Sequence, residues 1–230
     1  MADPADVAAL YRLLAWMSPS YPVGAFSYSH GLEWAVEQGD IISAASLIDW
    51  LDVVISEGSG LADATLFVQA HRAVMAHDPA LLAEANAMAL ALQPSRERRL
   101  ETTAQGNAFV MASEAAWPVA AFALLRSAVQ GSVAYPVAVG VTAAGHGIEE
   151  TMAVHAYLHA VAANLVSAAV RLVPLGQTDG LRVVAALEPI VSATVARARD
   201  TALDDIGGAA LRSDIASMRH ETQYTRLFRS

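Results

Sequence analysis

The chain has 230 residues, a formal net charge of −9, 55% hydrophobic and 16% charged residues, and no cysteine. The lack of cysteine excludes disulfide scaffolds, thiolate metal sites and cysteine nucleophiles. The acidic balance argues against a nucleic-acid-binding role, and because every basic residue is arginine, there is no Schiff-base or P-loop lysine.

The N-terminal residues do not have the pattern of a secretory signal. They include two acids, Asp3 and Asp6, where such a signal would carry positive charge. No stretch reaches the roughly 18 uninterrupted apolar residues of a membrane-spanning helix. We therefore expect a soluble, cytoplasmic protein with no membrane or nucleic-acid partner.

Apolar residues recur at spacings of three and four, which predicts amphipathic helices. Ser43 is predicted to cap a helix that ends at Gly58, and a second helix should run to about His77. Asp78-Pro79 should begin a third helix that ends near Leu92. Proline breaks and the same spacing predict the later helices: 95–117, two short ones after Pro118 and Pro136, 148–172 as the longest, and 179–203.

Strand signals are weak, because no run of period two is bounded by hairpin turns. We predict an all-α fold, a single-domain antiparallel helical bundle of about ten helices. The bundle should occupy residues 1–206, and a partner-binding tail should occupy residues 207–230.

A polar and aromatic segment, residues 18–34, lies near the start of the chain. Its prolines and Gly24 predict a turned backbone that displays Tyr21, Phe26 and Tyr28 before a helix near Ser27 or Ser29. In the alternative interpretation, the aromatic side chains enter the core and the serines cap the helix.

Ser27, His30 and Glu33 are spaced as a possible nucleophile, base and orienting acid. No nucleophile elbow or oxyanion-hole glycine pattern surrounds Ser27. We therefore predict no catalytic residue.

His155 and His159 are four residues apart, a spacing at which two imidazoles can meet one metal ion. The zincin pattern is not matched, because position 156 is not glutamate, and no third ligand is fixed. We expect no cofactor and keep these two histidines as the only candidate metal ligands.

Residues 176–180 lack the spaced glycines and lysine of a phosphate loop. A turn with helix capping explains them, with Thr178 or Asp179 as the cap and Gln177 available for a specific contact.

The tail combines arginines with aromatic and apolar residues at spacings of three and four. This composition is typical of an interface anchor that becomes ordered on binding.

Four blocks in order resemble segments of the UreF-type urease accessory proteins: residues 18–33, 135–140, 171–180 and 218–230. The resemblance implies an all-α, dimeric, non-enzymatic chaperone for insertion of nickel into urease. Its implied partners are a UreD-type (UreH) accessory protein, a UreG-type GTPase and apo-urease. The residues expected to contact partners are Gly24, Ser27, Tyr28, Glu33, Gln177, Asp179, Arg219, His220, Glu221, Tyr224, Arg226, Phe228 and Arg229.

Two other functions stay open at this point. One is a GTPase-activating protein that supplies an arginine finger. The other is a nickel-carrying metallochaperone that uses His155 and His159.

Overall fold

The structure, a computed structural model, describes residues 3–230. Its residues form eleven α-helices and two short 3-10 turns, and no strand occurs in this range. The α-helices are α1 (Pro4–Trp16), α2 (Leu32–Glu37), α3 (Ala44–Ser56), α4 (Ser59–Ala76), α5 (Pro79–Ala91), α6 (Arg96–Ala116), α7 (Ala121–Ala128), α8 (Tyr135–Gly145), α9 (Glu150–Leu172), α10 (Gln177–Asp200) and α11 (Leu211–His220). The predicted all-α class is confirmed.

Three helix starts are set by capping residues, and the sequence predicted two of these helix starts, at Ser43 and Asp78. Ser43 forms a capping box with Ser46 at the start of α3, and Asp78 accepts hydrogen bonds from the amides of Ala80 and Leu81 at the start of α5. Ser95 caps α6 in the same way. These caps satisfy amides that have no partner inside the helix, which is why Ser43 and Asp78 could be recognised in the sequence.

The centre of the molecule is the crossing of α4 and α8, two helices that are buried on nearly all sides. The close approach depends on Gly140, since a Cβ atom there would lie 2.5 Å from the backbone oxygen of Phe67. The other long helices pack around this pair. The two helices can therefore cross closely only because residue 140 has no side chain.

α9 is long and apolar enough to cross a membrane by length and composition alone. Half of its most apolar window is buried against neighbouring helices, including Tyr157, Leu158 and Leu165. This burial is what a core helix of a globular protein shows.

Some predicted boundaries were wrong. α2 begins at Leu32 rather than near Ser27 or Ser29, because Gly31 adopts a left-handed conformation just before it. α10 begins at Gln177, so most of the predicted turn forms the first turn of this helix. Gly176 is the capping residue, and its amide donates a hydrogen bond to the Asp179 side chain. With 24 residues, α10 is also longer than α9, which has 23.

Candidate functional site

The loop before α2 has an unusual backbone. Gly24, His30 and Gly31 all have positive φ angles, of 73°, 57° and 79°. For a residue with a side chain, such as His30, this conformation is unfavourable and persists only where surrounding contacts hold it. We refer to residues 24–31 as the loop segment.

Gly31 lets α11 lie directly against the loop segment. A Cβ atom at this position would be 2.5 Å from the amide nitrogen of Ser217 and 2.8 Å from the carbonyl carbon of Ala216, both in α11. Only glycine tolerates both the positive φ angle and this proximity. The loop segment and the tail are therefore packed together, although they lie at opposite ends of the sequence.

Glu33 holds the tail through its carboxylate. The backbone amides of Leu227 and Phe228 donate to its two oxygens at 2.7 and 2.9 Å. The side chain is only 8% exposed, so these are buried, charge-assisted hydrogen bonds. They fix the direction of the tail as it crosses the start of α2.

The end of the tail also pairs with the loop segment through its backbone. The Arg229 amide donates to the Ser27 carbonyl at 2.8 Å, and the Ser29 amide donates to the Ser230 carbonyl at 2.7 Å. The Ser29 hydroxyl donates to the same carbonyl, and the Ser230 hydroxyl donates to Glu101 at 2.7 Å. Ser29 and Ser230 are fully buried, so the tail forms part of the body of the protein.

His220 connects α11 to two acids. Its Nδ1 lies 2.6 Å from Glu97, and its Nε2 lies 3.3 Å from Glu33. Arg226 donates to the other oxygen of Glu97 at 2.6 Å. One buried imidazole therefore joins the carboxylate that binds the tail to a second acid on α6.

Phe228 is the apolar anchor of the tail. It is 5% exposed, and the guanidinium of Arg171 lies over its ring, 4.5 Å from the centroid. Arg171 also donates to the carbonyl oxygen of Phe26 at 3.1 Å. The stacked arginine therefore ties the tail and the loop segment to the end of α9.

Beneath the tail lies a buried cluster of charged side chains. Arg98 donates to Glu101, whose other oxygen faces Nε2 of His30 at 2.8 Å. Burial alone would raise the pKa of Glu101, but Arg98 and His30 overcome that effect and hold it at about 2. Burial lowers the pKa of His30, and Arg98 lowers it further against the attraction of Glu101. His30 is thus favoured as a neutral ring that donates from Nε2.

These side chains line a cavity of about 280 Å³. Asp63 contributes to it from α4 and accepts a hydrogen bond from the Tyr157 hydroxyl at 3.3 Å. Burial raises the pKa of Asp63 to about 6, although Arg98 opposes the rise. Phe26 and His159, both exposed, also line the cavity.

The prediction that the N-terminal segment displays its aromatic side chains was partly wrong. Phe26 is exposed, at 63%, but Tyr28 is buried and Tyr21 lies partly inside, with its hydroxyl 2.7 Å from that of Ser113. Tyr21 can pack against the body of the protein because its hydroxyl keeps a hydrogen-bond partner in Ser113.

The other predicted contact residues divide by exposure. The buried members pack inside the protein; they are Tyr28, Glu33, His220 and Phe228. Exposed members are Gln177, Arg219, Tyr224, Arg226 and Arg229, with Gly24, Ser27, Asp179 and Glu221 partly covered.

The spacing of Ser27, His30 and Glu33 does not produce a catalytic arrangement. His30 faces Glu101, and Glu33 binds the tail amides and His220. The three residues therefore hold the loop segment and the tail in place.

His155 is partly buried and His159 is exposed on α9. Within residues 3–230, no group of three or more histidine, aspartate or glutamate side chains is arranged to hold a metal ion. The spacing of four between His155 and His159 therefore supplies two candidate metal ligands.

Several residues of the site were missed in the sequence. Arg98, Glu101, Thr102 and Gln105 recur at spacings of three, one and three on α6 and are all buried. The periodic spacing was the available signal, but charged side chains at that spacing usually mark a solvated face.

The chain is similar to known proteins over nearly its whole length. Residues 41–188 match the family model described as UreF. A urease accessory protein UreF from Rhodopseudomonas palustris (strain BisA53) is 56% identical over 223 residues, 97% of this chain and 94% of its own length. One from Bradyrhizobium diazoefficiens is 54% identical over 225 residues, 98% of this chain and 93% of its own length.

Proposed function

The chain belongs to the UreF family of urease accessory proteins, and we propose that it promotes insertion of nickel into urease by joining two other accessory proteins. It is a non-enzymatic cytoplasmic chaperone and acts as a homodimer. It binds a UreD-type (UreH) protein and a UreG-type GTPase, and the assembly docks on apo-urease. The GTPase supplies GTP hydrolysis, and nickel is the cargo.

The observation that carries this proposal is the joining of the loop segment and the tail into one surface. Two buried carboxylates hold the tail: Glu33 accepts hydrogen bonds from two of its backbone amides, and Glu101 accepts one from the Ser230 hydroxyl. The side chains that point outward are therefore presented in fixed positions. Tyr224 is fully exposed and Leu227 is 75% exposed.

The charge of this surface differs from that of the remaining chain. Of 14 arginines and 23 acids, four arginines and two acids lie after residue 206, which leaves ten arginines and 21 acids before it. Exposed arginine beside exposed tyrosine is the composition of interface hot spots. The tail therefore fits a partner with an acidic and apolar surface.

The test is urease activity in cells that carry the cognate urease operon, nickel and a deletion of this gene. The full-length chain should restore activity, whereas a chain truncated after Asp205 should not. Restoration by the truncated chain, or full activity in the deletion strain, would contradict the proposal.

A charge reversal separates partner binding from folding. Arg229→Glu should lower affinity for the UreD-type or UreG-type partner at least about tenfold, because it places an acid opposite an acidic surface. Arg126→Glu on α7 is the matched control, since Arg126 is also exposed but lies outside the tail. Circular dichroism and the melting temperature should match the parent for Arg229→Glu.

A GTPase-activating role is the second candidate, because Arg219 and Arg229 are exposed on an ordered surface. An arginine finger predicts that Arg219→Ala or Arg229→Ala abolishes stimulated GTP hydrolysis by the UreG-type partner without weakening its binding. Loss of binding and stimulation together favours the joining role.

A further inference from the structure

The cavity beneath the tail is larger than a site for a single water molecule. Its volume of about 280 Å³ equals that of roughly nine water molecules at about 30 Å³ each. Its lining extends from the buried Asp63 to Phe26 and His159, which are exposed. The cavity therefore has room for a small organic group, and the joining of accessory proteins proposed above gives it no role.

Asp63 has an unpaired carboxylate oxygen in this cavity. The residue is only 8% exposed. Its Oδ2 accepts a hydrogen bond from the Tyr157 hydroxyl at 3.3 Å, whereas its Oδ1 accepts none from residues 3–230 and stays accessible. Arg98 and His30 pair with Glu101 instead. Since a buried carboxylate is costly without donors or a cation beside it, Asp63 can be satisfied by a ligand that supplies both.

Two amide side chains of the lining add further acceptors. The amide nitrogen of Gln105 donates to Glu101 at 3.0 Å, and that of Asn164 donates to the Ala25 carbonyl at 3.0 Å. Neither amide oxygen accepts a hydrogen bond within the described part of the chain. Because an amide oxygen only accepts, both residues match a ligand that donates hydrogen bonds.

Aromatic rings form much of the cavity wall. Trp16, Tyr135 and Tyr157 line it, and the centroids of the two tyrosine rings are 5.5 Å apart. The faces of such rings attract cations, most strongly where water is excluded. Val23 and Val161 add apolar surface. An acid among aromatic and apolar side chains suits a cation that is carried on an alkyl chain.

We propose that this cavity binds a primary alkylammonium group, with the nitrogen at Asp63 and the alkyl chain between the aromatic rings. The three N–H donors of an ammonium group match the free oxygens of Asp63 and Gln105. Two sources carry this chemistry, a free alkylamine and the lysine side chain of a partner. No side chain of this protein supplies it, because the sequence contains no lysine.

Titration of the purified chain with n-butylammonium chloride tests the site, and its outcome does not depend on a role in urease assembly. Trp16 lines the cavity, and its indole N–H has no hydrogen-bond partner among residues 3–230, so its NMR signal reports on occupancy. At about pH 7.5, above the pKa of Asp63, we expect a saturable shift with a Kd of about 1 mM.

The neutral probe n-butanol separates recognition of charge from filling of an apolar space. It should bind at least about tenfold more weakly than n-butylammonium, because it leaves the buried carboxylate without a cation. Equal affinities for the two probes would overturn the proposal. So would the lack of saturation by n-butylammonium up to about 50 mM.

Asp63→Asn keeps the shape of the side chain and removes its charge. It should raise the Kd for n-butylammonium at least about tenfold and leave that for n-butanol unchanged. Asp49→Asn, at an exposed acid on α3, is the matched control and should leave both values unchanged. The melting temperature of each variant verifies its fold. An unchanged Kd for n-butylammonium in folded Asp63→Asn would contradict the placement of the nitrogen.

Acetylation of lysines in a complex with the UreD-type or UreG-type partner separates the two sources. Because this chain has no lysine, every acetylated lysine side chain belongs to the partner. A partner lysine that enters the cavity should be acetylated at least about tenfold more slowly with the parent chain than with Asp63→Asn. If the purified chain binds n-butylammonium and no partner lysine shows this difference, the source is a free alkylamine.

Discussion

At the scale of single residues, Glu33 explains why the tail has a defined position. A buried carboxylate normally destabilises a fold unless donors surround it. Here the donors are two backbone amides of the tail and the ring of His220. The acid and the tail therefore stabilise each other, and neither is satisfied alone.

Glu33→Gln should loosen the tail while the rest of the fold persists. The variant loses the negative charge that strengthens both hydrogen bonds, each worth about 1.5–3 kcal/mol with a charged partner. Hydrogen exchange at the Leu227 and Phe228 amides should accelerate roughly 10- to 100-fold. Glu84→Gln, at an exposed acid on α5, should leave these rates unchanged. Equal rates in the parent and Glu33→Gln would show that the carboxylate does not hold the tail.

At the scale of helices, the contact between the loop segment and α11 depends on the absence of one side chain. Gly31 and Gly39 share a φ angle of 79°, but they differ in surroundings: the Gly31 position meets the backbone of α11, and nothing lies within 4 Å of the Gly39 position. This pair separates backbone strain from steric conflict within one protein.

Gly39→Ala should destabilise the fold by about 1 kcal/mol, since alanine is strained at positive φ. Gly31→Ala should destabilise it by about 3 kcal/mol or more, because α11 must also move. Urea unfolding of both variants measures the difference. Equal losses would mean that α11 moves aside at little cost.

The sequence predicted helices better than it predicted contacts between them. Ser43 and Asp78 act on amides within a few residues, so their role as caps is a local property that a single sequence reveals. The burial of Glu33 and Glu101 depends on residues more than a hundred positions away. A charged residue at helical spacing gives the same local pattern whether water or a distant amide satisfies it, so periodicity could not reveal this part of the site.

At the scale of the whole molecule, stability should depend on pH through the buried Asp63. Burial raises its pKa to about 6 from an ordinary value of 3.8, so the folded protein holds this proton more tightly than the unfolded chain does. Stability contributed by the protonated form is therefore lost as pH rises from about 4 to about 6. Glu101, with its pKa lowered to about 2, acts in the opposite sense and loses its contribution as pH falls below its ordinary range.

Asp63→Asn removes the Asp63 effect and leaves that of Glu101. Urea unfolding should show the variant about 1–3 kcal/mol more stable than the parent at pH 7, and equally stable near pH 4. Asp49→Asn, at an exposed acid on α3, should show no such difference. A constant offset between Asp63→Asn and the parent at all pH values would contradict the assignment.

The packing of the tail against the loop segment also implies an order of folding. The hydrogen bond from Leu227 to Glu33 joins residues 194 positions apart, and that from Ser29 to Ser230 spans 201. Closing a loop of this length has an entropic cost of roughly 5 kcal/mol, so these contacts form after the helices they join. Residues 227–230 are also translated long after the loop segment. A nascent or partly folded chain therefore lacks the surface that the loop segment and the tail form together. A partner that binds this surface selects fully folded molecules.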